Sequence, residues 1–161
     1  MFAFLCGAME YAPDGGCVWR AEMRLWLQDN LGHRVYDPCE EAHRILSEED
    51  LRALPAWKAS DFERYSKTMR FIVNHDLDVM EKEADYVVCL WDEAAARGAG
   101  TQGEVTAAHR KGIPVYLVTD MAVQQIGGWL LGCVDKVFPD FDGLKAFLTL
   151  AYGNNGQERA S

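Results

Sequence analysis

Apolar residues along this chain follow two patterns, short unbroken runs and stripes at helical spacing, and their alternation predicts the elements. Phe2–Cys6 is an unbroken run ending at Gly7, as expected of a buried parallel strand. Ala8–Gly16 contains Pro13-Asp14-Gly15-Gly16, strong turn chemistry. Val18, Trp19, Met23, Trp26, Leu27 and Leu31 then recur at helical spacing, and Gly32 supplies a stop. His33–Tyr36 reads as a brief second strand, closed by Asp37-Pro38. Residues 38–59 are less regular; Ser47 followed by Glu48, Glu49 and Asp50 predicts a capped short helix ended by Pro55. From Ser60 to about Glu83, Phe62, Tyr65, Met69, Ile72, Val73, Leu77 and Met80 form one stripe of a long amphipathic helix.

Two further apolar runs, Tyr86–Trp91 and Ile113–Val118, predict strands separated by a small-residue loop and a helix of about Glu104–Arg110. Val123–Leu131 suits a short helix and Lys136–Phe138 an edge strand before Pro139. Leu144, Phe147, Leu148 and Tyr152 mark a closing helix, after which 153–161 is a polar tail. Strands alternating with helices imply a single α/β domain over 1–152, a doubly wound parallel sheet of about five strands in a three-layer sandwich. Ligands bind such sheets just beyond the carboxyl ends of the strands. Attention therefore falls on Ala84–Val118, where the first run ends in Asp92 and the loop leads into Gly100-Thr101-Gln102-Gly103-Glu104.

Composition narrows the partners. With 161 residues, 49% of them hydrophobic and 25% charged, the chain can bury one substantial core without a staple. A formal charge of −9 argues against binding a nucleic-acid polymer, which needs a basic face, but leaves a nucleoside or nucleotide open. Five cysteines make an odd count with no CxxC pair, and Cys6 and Cys89 fall in or against strands, where a free thiol acts as a small hydrophobe. A reduced intracellular compartment fits that usage best. MFAFLCGAM lacks the basic start and long apolar core of a secretion signal, and no run reaches transmembrane length. The expectation is a cytoplasmic protein with no membrane partner.

Among residues that could carry chemistry, Glu104 comes first. Thr101-x-x-Glu104 matches a capping box, in which the threonine caps a helix and the glutamate reaches back. A ligand-site reading gains from the small residues before it, Ala94, Ala95, Ala96, Gly98, Ala99 and Gly100, which let a ligand approach the backbone. A helix start would also keep the carboxylate ionised, as a nucleophile requires. Asp92 is as readily a cap as a site residue; Asp76 is either a solvated helix acid or one turned along the sheet edge. Arg20 is a surface charge or an anion contact, and Trp91 a core aromatic or a base-stacking platform. Gly98 to Gly103 also spells G-x-G-x-x-G, but Asp92–Arg97 separates it from the strand and Glu104 would oppose a pyrophosphate, so the dinucleotide reading is set aside. No histidine pair has metal-ligand spacing, Cys39-x-x-x-His43 alone is not a coordination sphere, and neither a phosphate loop nor a nucleophile elbow occurs. No metal or cofactor is implied.

Taken in order, several pieces resemble the nucleoside 2-deoxyribosyltransferase family and its nucleotide N-glycosidase relatives. They are Leu5-Cys6-Gly7-Ala8-Met9, Gly32-His33-Arg34-Val35-Tyr36-Asp37-Pro38, His75-Asp76-Leu77-Asp78-Val79-Met80, Ala84-Asp85-Tyr86-Val87-Val88, Gly100-Thr101-Gln102-Gly103-Glu104-Val105 and Gly112-Ile113-Pro114-Val115. The G-T-x-x-E step is the most specific; the others are common in flavodoxin-like proteins, the sheet type expected here. The resemblance implies that Glu104 attacks the anomeric carbon of a nucleoside or nucleotide, expels the base, and passes the sugar to a second base or to water. It implies that Asp76 contacts the base and that Asp92 orients groups around it. The Gly7-Ala8-Met9 loop with Glu10 or Tyr11 would wall the sugar, with Arg20, Trp91, Gly100 and Thr101 completing the pocket. The family's transferases carry another aspartate shortly before the G-T step, where Ala96-Arg97-Gly98-Ala99 has none. Asn154 and Asn155 fall near the region where the family's neighbour chain holds the 5′-hydroxyl, and a homodimer or higher homo-oligomer is expected. A nucleotide-binding module without turnover is the alternative from a different class.

Overall fold

In the computed structural model, which describes residues 1–153, the apolar runs become strands and the stripes become helices. In chain order they are β1 (Phe2–Gly7), α1 (Cys17–Leu31), β2 (Arg34–Tyr36), α2 (Pro38–Ile45), α3 (Glu48–Ser60), α4 (Phe62–Glu83), β3 (Tyr86–Leu90), α5 (Glu93–Arg97), α6 (Gly100–Lys111), β4 (Val115–Val118), α7 (Gly128–Leu131), β5 (Lys136–Phe138) and α8 (Phe141–Tyr152). All strand pairs are parallel, in the order β2-β1-β3-β4-β5. This is the expected doubly wound, flavodoxin-like α/β fold, and its strand order reverses between β1 and β3.

The central strands are apolar throughout because both faces of the sheet are covered. Successive side chains alternate between two cores. Phe4, Cys6, Val87, Cys89 and Leu117 pack with Met80 of α4, Val105 and Ala108 of α6 and Leu130 of α7. Leu5, Tyr86, Val88 and Tyr116 pack on the opposite face with Met23 and Leu27 of α1 and Leu144 and Leu148 of α8. At the amino edge of that second face lies a neutral polar cluster. A ring nitrogen of His33 is 2.8 Å from the Tyr86 hydroxyl, Tyr86 stacks on Tyr152, and the Tyr152 and Tyr116 hydroxyls are 2.6 Å apart.

Four expectations about local structure are corrected. Pro55 does not end its helix: α3 continues to Ser60, held by buried Trp57, whose ring lies 3.8 Å below the Arg64 guanidinium. The irregular stretch after Asp37 forms α2, with Pro38 in the first turn, where a missing N–H costs nothing, and the Asp37 carboxylate accepting from Cys39 N at 2.9 Å. Residues 93–97, expected as loop, form α5, because the Asp92 side chain caps it by accepting from Ala95 N at 2.8 Å. Cys17 and Cys39 form a disulfide, against the expectation of wholly reduced cysteines; Cys6, Cys89 and Cys133 are free and buried. The partners are 22 residues apart and meet only because α1 and α2 start side by side, a proximity that no spacing motif signals.

The long stripe of α4 is only partly covered. Met80 is buried, while Phe62, Phe71 and Val73 are exposed. No helix among the described residues is long and apolar enough to cross a membrane. Asn154 and Asn155, and all but the first residue of the expected tail, lie outside the described residues.

Candidate functional site

At the carboxyl ends of β1 and β2, one face of the sheet presents Cys6 and Tyr36, and helices α4 and α6 bring Asp76 and Glu104 to them. The Cys6 thiol donates to Glu104 Oε2 at 2.9 Å. The Tyr36 hydroxyl donates to Asp76 Oδ1 at 2.5 Å, its ring stacked on Phe4. Glu104 lies one turn into α6, whose amino terminus is capped by no side chain, and Thr101 is a buried residue of the helix itself. The capping box therefore does not form. Released from that role, the Glu104 carboxyl turns toward the sheet.

That position governs its ionisation. Glu104 is only half-buried by surface, yet enough protein surrounds its carboxyl that removal from water is the main influence, and its pKa is pushed up to about 7. The nearby Asp76 carboxylate adds to the rise; the Cys6 hydrogen bond and the Arg20 charge oppose it. This corrects the expectation of a carboxylate kept ionised by its helix: burial outweighs the helix dipole one turn from the terminus. Burial also raises Asp76, against the Tyr36 bond and the neighbouring His75. Burial and the Asp76 bond push the Tyr36 phenol up, so it keeps its proton. On the same side the His75 ring is 3.2 Å from Glu41 Oε1.

Arg20 is neither a surface charge nor a free anion contact. It is buried, and donates from Nη2 to Gly7 O at 2.7 Å and from Nη1 to Gly16 O at 2.7 Å and Ala8 O at 3.2 Å. The β1–α1 loop is thus folded around a guanidinium that binds carbonyls. Gly16 has a φ of 73°, and a Cβ there would strike both the Ala8 carbonyl and the Arg20 side chain. Lys58 of α3 ties the loop from outside through Glu10 at 2.7 Å.

The remaining expected residues separate into groups. Gly7 is closely packed: a Cβ there would sit 3.0 Å from the Trp19 ring and 3.2 Å from the Leu90 carbonyl, so those neighbours would have to give by a few tenths of an ångström. Ala8 packs against the core, Met9 and Tyr11 are exposed, and the Tyr11 ring lies under the Arg97 guanidinium at 4.7 Å. Trp91 is a buried core residue, which corrects its candidacy as a stacking platform. Gly100 opens α6 with free space around it. Asp92 lines a cleft of about 590 Å³ with Tyr11, Arg97, Asp120 and Met121, and Glu104 is not part of that wall. Of the two helper acids considered, Asp76 is the one electrostatically coupled to Glu104. In the fingerprint reading, α5 stands between β3 and Gly98, so the tight turn that a dinucleotide needs is missing.

Sequence reasoning passed over Cys6 as a small hydrophobe and Tyr36 as a strand residue. The available signal was position: Tyr36 closes β2 and Cys6 is next to last in β1, so both reach the carboxyl edge where sheets of this kind bind ligands. Among the described residues no group of three or more histidine, cysteine, aspartate or glutamate side chains could hold a metal ion. Together, a carboxyl that titrates near neutrality and a second acid raised by burial offer a base or nucleophile beside a proton donor. Compared with known families and with curated proteins, the chain matches neither a family model nor a curated sequence.

Proposed function

We propose that the protein breaks the N-glycosidic bond of a (deoxy)nucleoside or nucleoside monophosphate through a covalent glycosyl-glutamate, and transfers the 2-deoxyribosyl group between bases. One observation carries this reading: a half-buried Glu104 carboxyl at the carboxyl edge of the sheet, electrostatically coupled to Asp76. In the first step a Glu104 oxygen bonds to C1′ while the C1′–N bond breaks and the departing base takes the single proton that the Glu104–Asp76 pair shares, held on Asp76 in the attacking form. In the second step a nitrogen of the incoming base bonds to C1′, the ester bond breaks, and the proton lost by that nitrogen returns to Asp76. With water in place of the second base the same sequence is hydrolysis. Attack needs Glu104 ionised with the pair's one proton on Asp76, so activity falls as pH drops and the pair takes up a second proton, and falls as pH rises through about 7 and the last proton leaves. The exposed Phe62, Phe71 and Val73 of α4 support self-association as a homo-oligomer.

A panel of nucleosides and nucleoside monophosphates, incubated with and without an acceptor base and followed by chromatography, tests the proposal. Base exchange supports the transferase and free base alone the hydrolase; binding without product leaves a nucleotide-binding module. Glu104→Ala should keep the fold and release no base. Turnover by that variant at the parent rate overturns the assignment.

A further inference from the structure

The Cys6 thiol touches the one carboxylate that the proposed chemistry depends on. Cys6 is fully buried in β1, beside Cys89 in register on β3, and burial raises its pKa well above the ordinary thiol value, so the sulfur keeps its proton. Three neighbours could accept that single proton: the Cys89 sulfur, the Thr101 carbonyl and the Glu104 carboxylate. Glu104 Oε2 is 2.9 Å from the sulfur and the Thr101 carbonyl 3.7 Å, so the carboxylate takes it. Glu104 Oε1 accepts no hydrogen bond from the described residues, and it is not among the buried polar atoms left without a partner. One oxygen of the carboxylate is tied to the strand; the other is free.

We infer that Cys6 is a positioning residue for Glu104, its thiol holding Oε2 so that the carboxyl plane is fixed and Oε1 is the oxygen presented to a ligand. A thiol suits this role because it is a weak donor. It orients the carboxylate while withdrawing less charge than a hydroxyl would, which leaves Oε1 basic. The other groups acting on Glu104 are Arg20 from α1 and Asp76 from α4, with Tyr36 of β2 bonded to the latter. None of these donates to the Glu104 carboxylate. Cys89 adjoins Cys6 rather than Glu104 and hydrogen-bonds the Cys6 thiol, so its removal leaves the Cys6 proton to Glu104 alone.

The role of Glu104 as nucleophile rests on the proposed function; its orientation by Cys6 does not, so the two are read out separately. The carboxyl carbon of Glu104, assigned by its loss in Glu104→Gln, is titrated by NMR in the parent and in Cys6→Ala, Cys6→Ser and Cys89→Ala. Removing the donor should raise the Glu104 midpoint by about one pH unit, and the stronger hydroxyl donor should lower it, while Cys89→Ala, which removes a competitor for the thiol, does not raise it. A purely structural role for Cys6 would move both Cys6 variants in the same direction or neither, and either result overturns the inference. If Cys6→Ser does not fold, Cys6→Ala decides alone: an unmoved or lowered midpoint overturns it. Where nucleosides are turned over, the limb of kcat/KM near pH 7 should follow the same shifts. Absence of turnover would refute the nucleoside chemistry and leave the titration result standing.

Discussion

The sheet carries a buried polar cluster on each face, and the two are built on different accounts of charge. On the α1–α8 face, His33 is hydrogen-bonded to Tyr86 and Tyr152 to Tyr116, the two pairs meeting where Tyr86 stacks on Tyr152, and burial holds His33 below its ordinary pKa, toward the neutral ring. Such a cluster can be closed off in a core at little cost. On the α4–α6 face, Cys6, Tyr36, Asp76 and Glu104 include two acids, each with its pKa raised, and Arg20, the cation that acts on both, is spent on backbone carbonyls. Among the described residues its carboxylates have no salt-bridge partner. A fold stabilises the first arrangement for its own sake; the second is retained at a cost, which is why it is the candidate site.

Removing the costly charge should break this contrast most visibly. Glu104→Gln is expected to lower base release by roughly 10³-fold or more, as loss of a nucleophile does, followed by chromatography. The same change should stabilise the protein. The folded-state pKa of Glu104, about 7, lies above its ordinary 4.5, so its contribution to stability is full below 4.5 and is lost as pH rises through 7. Melting curves should therefore show no gain at acid pH and a gain of about 2 kcal/mol in mild alkali, a figure reduced for the partial exposure of the side chain. Equal melting of parent and variant at high pH would place Glu104 among satisfied groups. His33 runs the other way: its folded-state pKa is depressed, so its contribution is present above 6.5 and lost as pH falls. His33→Asn should flatten the acid side of the stability profile, where Glu104→Gln does not.

Smaller effects sharpen the comparison. Arg20→Met should cost about 3 kcal/mol by leaving the Gly7, Ala8 and Gly16 carbonyls without their donor, and should also raise the Glu104 midpoint, both seen by denaturant titration and NMR. Tyr36→Phe removes the donor to Asp76, so the Asp76 pKa should rise further, with a loss of about 1 kcal/mol and roughly tenfold in kcat/KM. Tyr152→Phe, on the neutral side, should cost about 1 kcal/mol and leave the pH–rate profile where it was. If Tyr152→Phe shifts that profile as much as Tyr36→Phe, the two faces do not differ in kind.

How much of this was legible beforehand follows from which forces are local. The strands and the order of elements could be read because apolar runs and helical stripes are properties of neighbouring residues; β1, α1, α4 and β5 fall within a residue or two of their expected positions. Glu104 could be named because it follows a small-residue loop beyond a strand, and Asp76 because it lies beside the apolar stripe of its helix; the acid chosen for its place at a strand end, Asp92, caps α5. What could not be read was set by residues far apart in the chain. Whether Thr101 caps a helix or is buried inside it, whether Trp91 faces a pocket or a core, and whether Arg20 meets a ligand or three carbonyls all depend on partners from other elements. Pairing Cys6 with Glu104 required contacts across 98 residues.

The Cys17–Cys39 bond bears on how the sheet ends. β2 is an edge strand of three residues, and its open side offers unpaired backbone groups to any passing strand. Because the bond joins the starts of α1 and α2, a β2 that peels from β1 stays tethered at its carboxyl end, within a closed ring of chain that also contains α1. The tether confines where a frayed edge can travel and favours re-annealing over capture by another molecule. In this protein a covalent leash does the guarding that other sheets assign to prolines, bulges or lysines on the rim.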